Sequence, residues 1–293
     1  MVDVLCVGHA AFDMTMSVLH QPKADEKMQA QALNLAGGGP TANAAVCIAR
    51  LGGHASFCGY LGNDSFCEAH LRELEVEGVD TSLIVRGEHP TPLSMILAKP
   101  DGTRSVINFK ANTPYLAGDA VNFQSAKPAA VLFDGHEPLL SIAMDTWARK
   151  RGIPTVLDAG SVHQGTRDLA MTVDYLVASA KFARRFCEAG SMQSALKLLS
   201  GLRNNVVITL GKDGLVWARN GKTGAMPAYD VEVVDSTGAG DAFHGAFALG
   251  LAKDMAWTDL LRFASAAGAL ACTQLGARRG LPDKEEMKSF PGL

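Results

Sequence analysis

The sequence predicts an α/β fold: a mainly parallel sheet covered on both faces, with a small antiparallel sheet projecting from it. Three observations carry this. Short apolar runs alternate with amphipathic segments along most of the chain, two stretches of polar alternation break that pattern, and the last third is helical and rich in small residues.

The elements follow in order. Residues 2–7 are apolar and strand-like. Residues 41–51 form an Ala-rich helix ended by Gly52-Gly53. Residues 55–59 read as a strand, and 66–77 as a helix stopped by Gly78. Residues 129–133, 155–158, 175–178 and 206–209 are buried-strand candidates with helices between them. Residues 14–34 and 91–109 read as exposed strands, the second flanked by the turn signals His89-Pro90 and Pro100-Asp101-Gly102. They predict a small sheet that serves as a lid over a cleft, as an oligomer surface, or as both. Residues 231–234 predict a strand, and 241–253 and 259–273 predict helices. Asp283 with Glu286 predicts a capping box on a short last helix. No repeat or linker divides the chain, so residues 1–293 read as one domain with an excursion.

Composition narrows the function. The chain has 293 residues, 47% hydrophobic and 19% charged, which is enough to bury a sizeable core. A net charge of -3 argues against a basic nucleic-acid binder or a polybasic membrane binder. No apolar run reaches the ~20 residues that span a bilayer. Residues 2–8 carry an acid where a signal peptide needs bases. The six cysteines (Cys6, Cys47, Cys58, Cys67, Cys187 and Cys272) form no CxxC pair and read as reduced core thiols. Together these features predict a cytoplasmic protein.

The strongest local signal is Asp235-Ser236-Thr237-Gly238-Ala239-Gly240-Asp241. Gly238 and Gly240 allow a tight turn, and the open amides of the helix that follows would point at an anion. Asp241 is badly placed to bind phosphate statically, because like charges repel. It makes sense as a base for a hydroxyl attacking that phosphate. The plain alternative is a strand-to-helix turn with Asp241 as its cap.

A second cluster, Gly37-Gly38-Gly39-Pro40, leads into Thr41, Ala42 and Asn43, with Pro40 where a helix should begin. It does not follow the first strand directly and has no acidic residue well placed downstream, so it fits a dinucleotide fingerprint poorly. Close backbone approach to a polar ligand fits better, with Asn43 able to donate to and accept from vicinal hydroxyls. Asp13, after the first strand, is placed to accept from hydroxyls; alone, such a residue is more often a solvated or capping one. Thr209-Leu210-Gly211-Lys212-Asp213-Gly214 follows an apolar strand and could turn beside a nucleotide. Gly221-Lys222-Thr223 lacks the remaining glycine and the context of a P-loop. The eight histidines show no metal-ligand pattern; His9, His136 and His244 are candidates to line a site or to be structural.

Taken together, Gly38-Gly39-Pro40-x-x-Asn43 and Asp235 to Asp241, in this order and at this separation, resemble the PfkB (ribokinase-like) carbohydrate kinase family. The likeness runs from the opening Gly8 to Asp13 stretch to Gly280-Leu281-Pro282. It implies a three-layer αβα sandwich with a β-sheet lid that often joins two subunits as a homodimer. It also implies transfer of the γ-phosphoryl group of ATP to a small sugar. Asp241 would be the base, and the amides of Gly238, Ala239 and Gly240 an anion hole. Asp13, Gly38, Gly39 and Asn43 would bind sugar hydroxyls, and Thr209, Gly211 and Gly214 the nucleotide. Mg²⁺ would travel with ATP. Asp235, Thr237, Ala271, Gln274 and Gly276 fall where members with a monovalent-cation site hold K⁺.

The chain departs from the family where many members carry Asn-x-x-Glu. Here the stretch is Ala178-Ser179-Ala180-Lys181-Phe182, similar to the ketohexokinase branch, and Lys181 would approach the phosphates as a point charge. Lys27, Asn108 within Ile107-Asn108-Phe109, and the tail Ala277-Arg278-Arg279-Gly280-Leu281-Pro282-Asp283 look similar to bacterial sulfofructose kinases. His136 stands where that subfamily offers an arginine, and a neutral imidazole is a poor substitute for a bidentate anion clamp. The expectation is therefore a ketose or related sugar. Sulfofructose is one alternative. A nucleoside, for which Phe109 and Tyr115 would supply a slot, is another. A non-catalytic sugar sensor is disfavoured by the intact Asp241 and anion loop.

Overall fold

The computed structural model describes residues 2–293. The first half of the chain runs β1 (Val4–Val7), β2 (Ala11–Ser17), β3 (Ala32–Gly38), α1 (Pro40–Arg50), β4 (Ala55–Cys58), β5 (Tyr60–Gly62), α2 (Ser65–Val76), β6 (Val85–Gly87), β7 (Leu93–Ala98) and β8 (Arg104–Phe109). The second half runs β9 (Ala130–Phe133), α3 (Pro138–Lys150), β10 (Thr155–Ala159), α4 (Gln164–Ala170), β11 (Tyr175–Ser179), α5 (Ala180–Cys187), α6 (Met192–Leu202), β12 (Asn205–Thr209), β13 (Leu215–Arg219), β14 (Lys222–Met226), α7 (Ala239–Ala252), α8 (Trp257–Ala271) and α9 (Lys284–Ser289).

The main sheet has the order β14-β13-β12-β11-β10-β9-β1-β4. It is parallel from β4 through β12, and the β13–β14 hairpin adds two antiparallel strands at one edge. Its central strands are apolar on both faces, as a doubly covered parallel sheet requires. Alternation sends Val4 and Cys6 of β1 into one core, with α1, α7 and α8. Leu5 and Val7 enter the other, with α3 to α6. Two cores flanking one sheet make the three-layer αβα sandwich the sequence implied.

The second sheet has the order β3-β2-β7-β8. In register across it, Ala36, Asp13, Ser94 and Asn108 share one face. Leu35, Met14, Met95 and Ile107 share the other. The sequence placed lid strands over 14–34 and 91–109. The structure begins the first strand at Ala11 and leaves all of 18–31 outside any strand. Asp13 therefore lies inside a lid strand, not in a loop after the first strand.

The strand predicted over 231–234 is absent. Its valines look like buried-sheet residues, yet Val233 and Val234 are exposed, and Val231 and Val233 line a cleft. The amides of Val234 and Asp235 donate to the Cys272 carbonyl at the end of α8, and the β13–β14 hairpin, which the sequence reading did not pick out, forms the sheet edge. The capping box on α9 forms as expected, with Asp283 accepting from the Glu286 amide and the Glu286 carboxylate accepting from the Asp283 amide. All six cysteines are free thiols. Among the described residues no helix is long and apolar enough to cross a membrane.

Candidate active site

The two glycine clusters, with Gly39 and Gly238 199 positions apart in the chain, meet where α1 and α7 start. Gly245 lets the helices touch, since a Cβ there would overlap the backbone of Ala44. Gly39 precedes α1 at φ 99 with Pro40 opening the helix. A Cβ on Gly39 would overlap the carbonyl of His9, and one on Gly38 would overlap the Asp13 carboxylate. The sequence spends glycine here because a strand carboxylate and a helix start must pack against bare backbone.

Asn43 is buried and donates from Nδ2 to Oδ2 of Asp241 at 2.7 Å. Asp241 sits in the first turn of α7. Burial, and then the neighbouring Asp158 charge, push its pKa up to about 7, although Asn43 and His244 pull the other way. Burial likewise pushes Asp13 up to about 6 against the Ser94 hydroxyl and the Arg278 charge. Both carboxylates thus titrate near neutrality, where a proton acceptor is most useful.

Gly238 caps α7 in the left-handed region at φ 85, and no side chain caps the helix. The Ala239 amide makes only a long bond to the Ser236 carbonyl at 3.4 Å, and the other amides of the first turn face an anion's place with the helix dipole behind them. Ala239 and Gly240 line a cleft of about 690 Å³, and Thr209, Gly211 and Gly214 line the same cleft. Gly214, at φ 83, could not carry a side chain: a Cβ would overlap Met226 and its neighbours. Tyr229, Val231, Val233, Phe243 and Ala269 supply apolar walls that the sequence did not single out. An apolar slot ending at open helix amides suits a purine with a polyphosphate. Lys181 stands exposed in the first turn of α5, two residues after Ser179, which pairs with Thr209.

Beside the first glycine cluster stands a run of imidazoles. His136 lies between His9, with ring centroids 5.2 Å apart, and His163, stacked at 4.5 Å. Burial, then the charges of His136 and Lys110, press His9 down to about 3 and His163 to about 4. Buried Asp134 ties this run to the glycine cluster, accepting from the amides of His9 and His136 and from the Thr41 hydroxyl. Burial would raise its pKa, but His136 and those amide donors hold it below the ordinary carboxylate range. His244, by contrast, is buried beneath Asp241, its ring 2.6 Å from the Gly240 carbonyl and 3.4 Å from Asp158.

Three predicted residues join these groups loosely or not at all. Asn108 is exposed on the lid face it shares with Asp13 and Ser94. Lys27 is exposed in the segment between β2 and β3, with no hydrogen bond or ion pair among the described residues. Gln274 is exposed beyond α8.

Of the remaining cation-site residues, Asp235 takes the Thr237 amide and hydroxyl on Oδ1 and the Gly276 amide on Oδ2. Ala271 ends α8 close by in sequence. These loops offer only oxygen donors, a set that fits a hard monovalent cation. No cluster of three or more His, Cys, Asp or Glu among the described residues could hold a metal ion.

Arg278 is the main residue sequence reasoning missed. It was visible only within the tail, and its guanidinium meets Asn43, 235 residues away in sequence. Ser94, Thr41, Asp134 and His163 were missed for the same reason, since their partners are set by strand register and helix packing.

The start of α7 thus lines the cleft through Ala239 and Gly240 and carries Asp241 in the same turn. A family model described as pfkB family carbohydrate kinase matches residues 1–284. The ribokinase of Haemophilus influenzae is 28% identical over 97% of this chain and 96% of its own length. Fructokinase-1 of Zea mays is 29% identical over 88% of this chain and 89% of its own. The solved structure of Arabidopsis thaliana ribokinase complexed with ribose and ATP superposes with a TM-score of 0.84, at 25% identity, over 98% of each chain. The chain belongs to the pfkB family of carbohydrate kinases. It is an ATP-dependent sugar kinase.

Proposed function

We propose that the protein transfers the γ-phosphoryl group of ATP to a primary hydroxyl of a ketose, with Asp241 as the base. The observation that carries the reading is the Asn43–Asp241 hydrogen bond, because it sets the base between the glycine cluster and the nucleotide cleft. Asp13, Asn43 and the backbone of Gly38 and Gly39 hold sugar hydroxyls. The far end of the sugar lies against His136 and its neighbours, with Asn108 above it on the lid. Asp241 takes the hydroxyl proton as that oxygen bonds to the γ-phosphorus. The bond from this phosphorus to the β–γ bridging oxygen breaks, and ADP leaves. Amides of Gly238, Ala239 and Gly240 receive the charge on the moving group. Thr209, Gly211 and Gly214 seat the nucleotide, and Lys181 adds a point charge near its phosphates. Mg²⁺, held by phosphates and water, supplies charge neutralisation. Asp235, Thr237, Ala271 and Gly276 would hold a K⁺ ion behind the anion loop.

The relative named a fructokinase supports the ketose reading. Residues 1–293 act as one kinase unit that includes the lid. Its outer face exposes Leu33, Leu35, Ile107 and Phe109, each more than half accessible at 58%, 51%, 62% and 53%. A sheet face this apolar fits a homodimer closed through the lid. Free thiols and the mild net charge fit a cytoplasmic setting.

The test is ADP release with Mg-ATP against fructose, tagatose, ribose, sulfofructose, fructose 1- and 6-phosphates, 2-keto-3-deoxygluconate and adenosine. Highest kcat/KM with a ketose supports the proposal. Highest kcat/KM with ribose or adenosine overturns the ketose, and no release with any of them overturns the catalytic reading.

A further inference from the structure

We propose that Arg278 is a positioning residue for the transfer, holding the Asn43 side chain in the one amide orientation that donates to Asp241. The inference rests on the reading of Asp241 as base. A guanidinium has donors only. Its Nε donates to Oδ1 of Asn43 at 3.1 Å, so the oxygen of that amide is committed to Arg278. The nitrogen must then face the other way, and it donates to Asp241 at 2.7 Å. Without Arg278 the two orientations of the amide are no longer distinguished, and in the flipped one an oxygen would face the Asp241 carboxylate.

Stability alone explains Arg278 poorly. It is only 7% exposed, and its single ion pair within 4 Å is a long one, Nη1 to Glu73 at 3.9 Å, with Glu77 and Asp13 acting from farther away. Nη1 makes no hydrogen bond, and Nη2 rests 3.3 Å from Nε2 of His70. A buried charge so thinly paired costs more in desolvation than it returns. The surrounding chain nonetheless clamps it. Arg50 donates from Nη1 to the carbonyls of Arg278 and Leu281 at 3.0 and 2.9 Å. The amide of Gly37, inside the glycine cluster, donates to Glu73 at 2.7 Å. One buried chain of contacts thus runs from α2 through Arg278 and Asn43 to the first turn of α7.

The groups that face Asp241 are Asp158 from β10, Asp13 from β2, His244 from α7 itself, and Cys47 from α1. Asp158 and Asp13 raise its proton affinity; the Asn43 donor opposes them. Arg278 also faces Asp13 and lowers its proton affinity directly. Loss of Arg278 would therefore raise both carboxylates.

The experiment compares kcat/KM against pH for the wild type, Arg278→Met and Arg278→Lys, together with a carboxyl-carbon NMR titration of Asp241, assigned by Asp241→Asn. Arg278→Met should move the midpoint of Asp241 up by about one unit, giving roughly tenfold loss on the acid side and little loss at high pH. Arg278→Lys, which keeps a charged donor, should restore part of the shift. In an Asn43→Ala background, Arg278→Met should move Asp241 no further. An unmoved midpoint with uniform loss at every pH would make Arg278 merely structural. An equal shift in the Asn43→Ala background would overturn action through Asn43. Arg278→Gln is read in the same way should the Met variant not fold. The NMR titration needs no turnover, so absence of activity on every sugar would sink the kinase mechanism while still deciding the role of Arg278.

Discussion

Replacing Asp241 with Asn separates activity from stability. The amide cannot take a proton, so the reaction loses its base. General-base contributions run to about 10²–10⁴-fold, or roughly 3–5 kcal/mol of barrier. Asn keeps an oxygen for the Asn43 donor, so the local packing and the sugar contacts should survive. The fold should gain. The Asp241 carboxyl titrates at about 7 in the folded protein against an ordinary 3.8. A raised carboxylate pKa costs stability once the unfolded chain ionises, above about pH 4. The cost grows until the folded group also ionises near pH 7. A three-unit shift corresponds to about 4 kcal/mol. Solvent reaching the half-open cleft reduces that to about 1–2 kcal/mol. Asp241→Asn should therefore melt about 2–3 °C higher at pH 8, and the gain should shrink as the pH falls to 5. Calorimetric melting at both pH values, sugar binding by titration calorimetry and ADP release complete the assay. Unchanged turnover would refute Asp241 as base, and a lower melting temperature at pH 8 would refute its burial as a strained carboxylate.

Other outcomes follow from the same geometry. In the wild type, sugar affinity should weaken below about pH 6, where Asp13 gains a proton, loses its charge and accepts less strongly from hydroxyls; a KM for sugar flat from pH 8 to 5 would remove Asp13 from the sugar site. Gly38→Ala forces a methyl group into the Asp13 carboxylate and should raise the sugar KM about tenfold, a cost near 1.4 kcal/mol, with the ATP KM little changed. An equal rise in both would mean general damage. Paired substitutions Leu35→Asp and Ile107→Asp place charges on the apolar lid face and should leave a monomer by analytical ultracentrifugation. A wild type that is itself monomeric at micromolar concentration would refute the lid dimer.

Much of this protein is legible in one dimension. Strand periodicity and apolar runs determine which segments become β1, β4 and β9 to β12, because a doubly covered sheet demands apolar residues on both faces. Gly38, Gly39, Gly238 and Gly240, with Asn43 and Asp241, are legible as well. Their roles depend on backbone freedom and side-chain chemistry that travel with the residues. The valines at 231–234 misled because an apolar run is equally suited to a buried strand and to the wall of a nucleotide cleft; only the tertiary structure, which ties Val234 to the end of α8 and forms the sheet edge from the hairpin, decides between them. Only the tertiary structure aligned Asp13 with Ser94 and Asn108, because strand register is a pairing between distant segments. Only it stacked His136 on His163. Arg278 is the clearest case: its proximity to Asn43 is created by packing that brings the turn before α9 onto α1 and α2, a meeting of segments far apart in the chain.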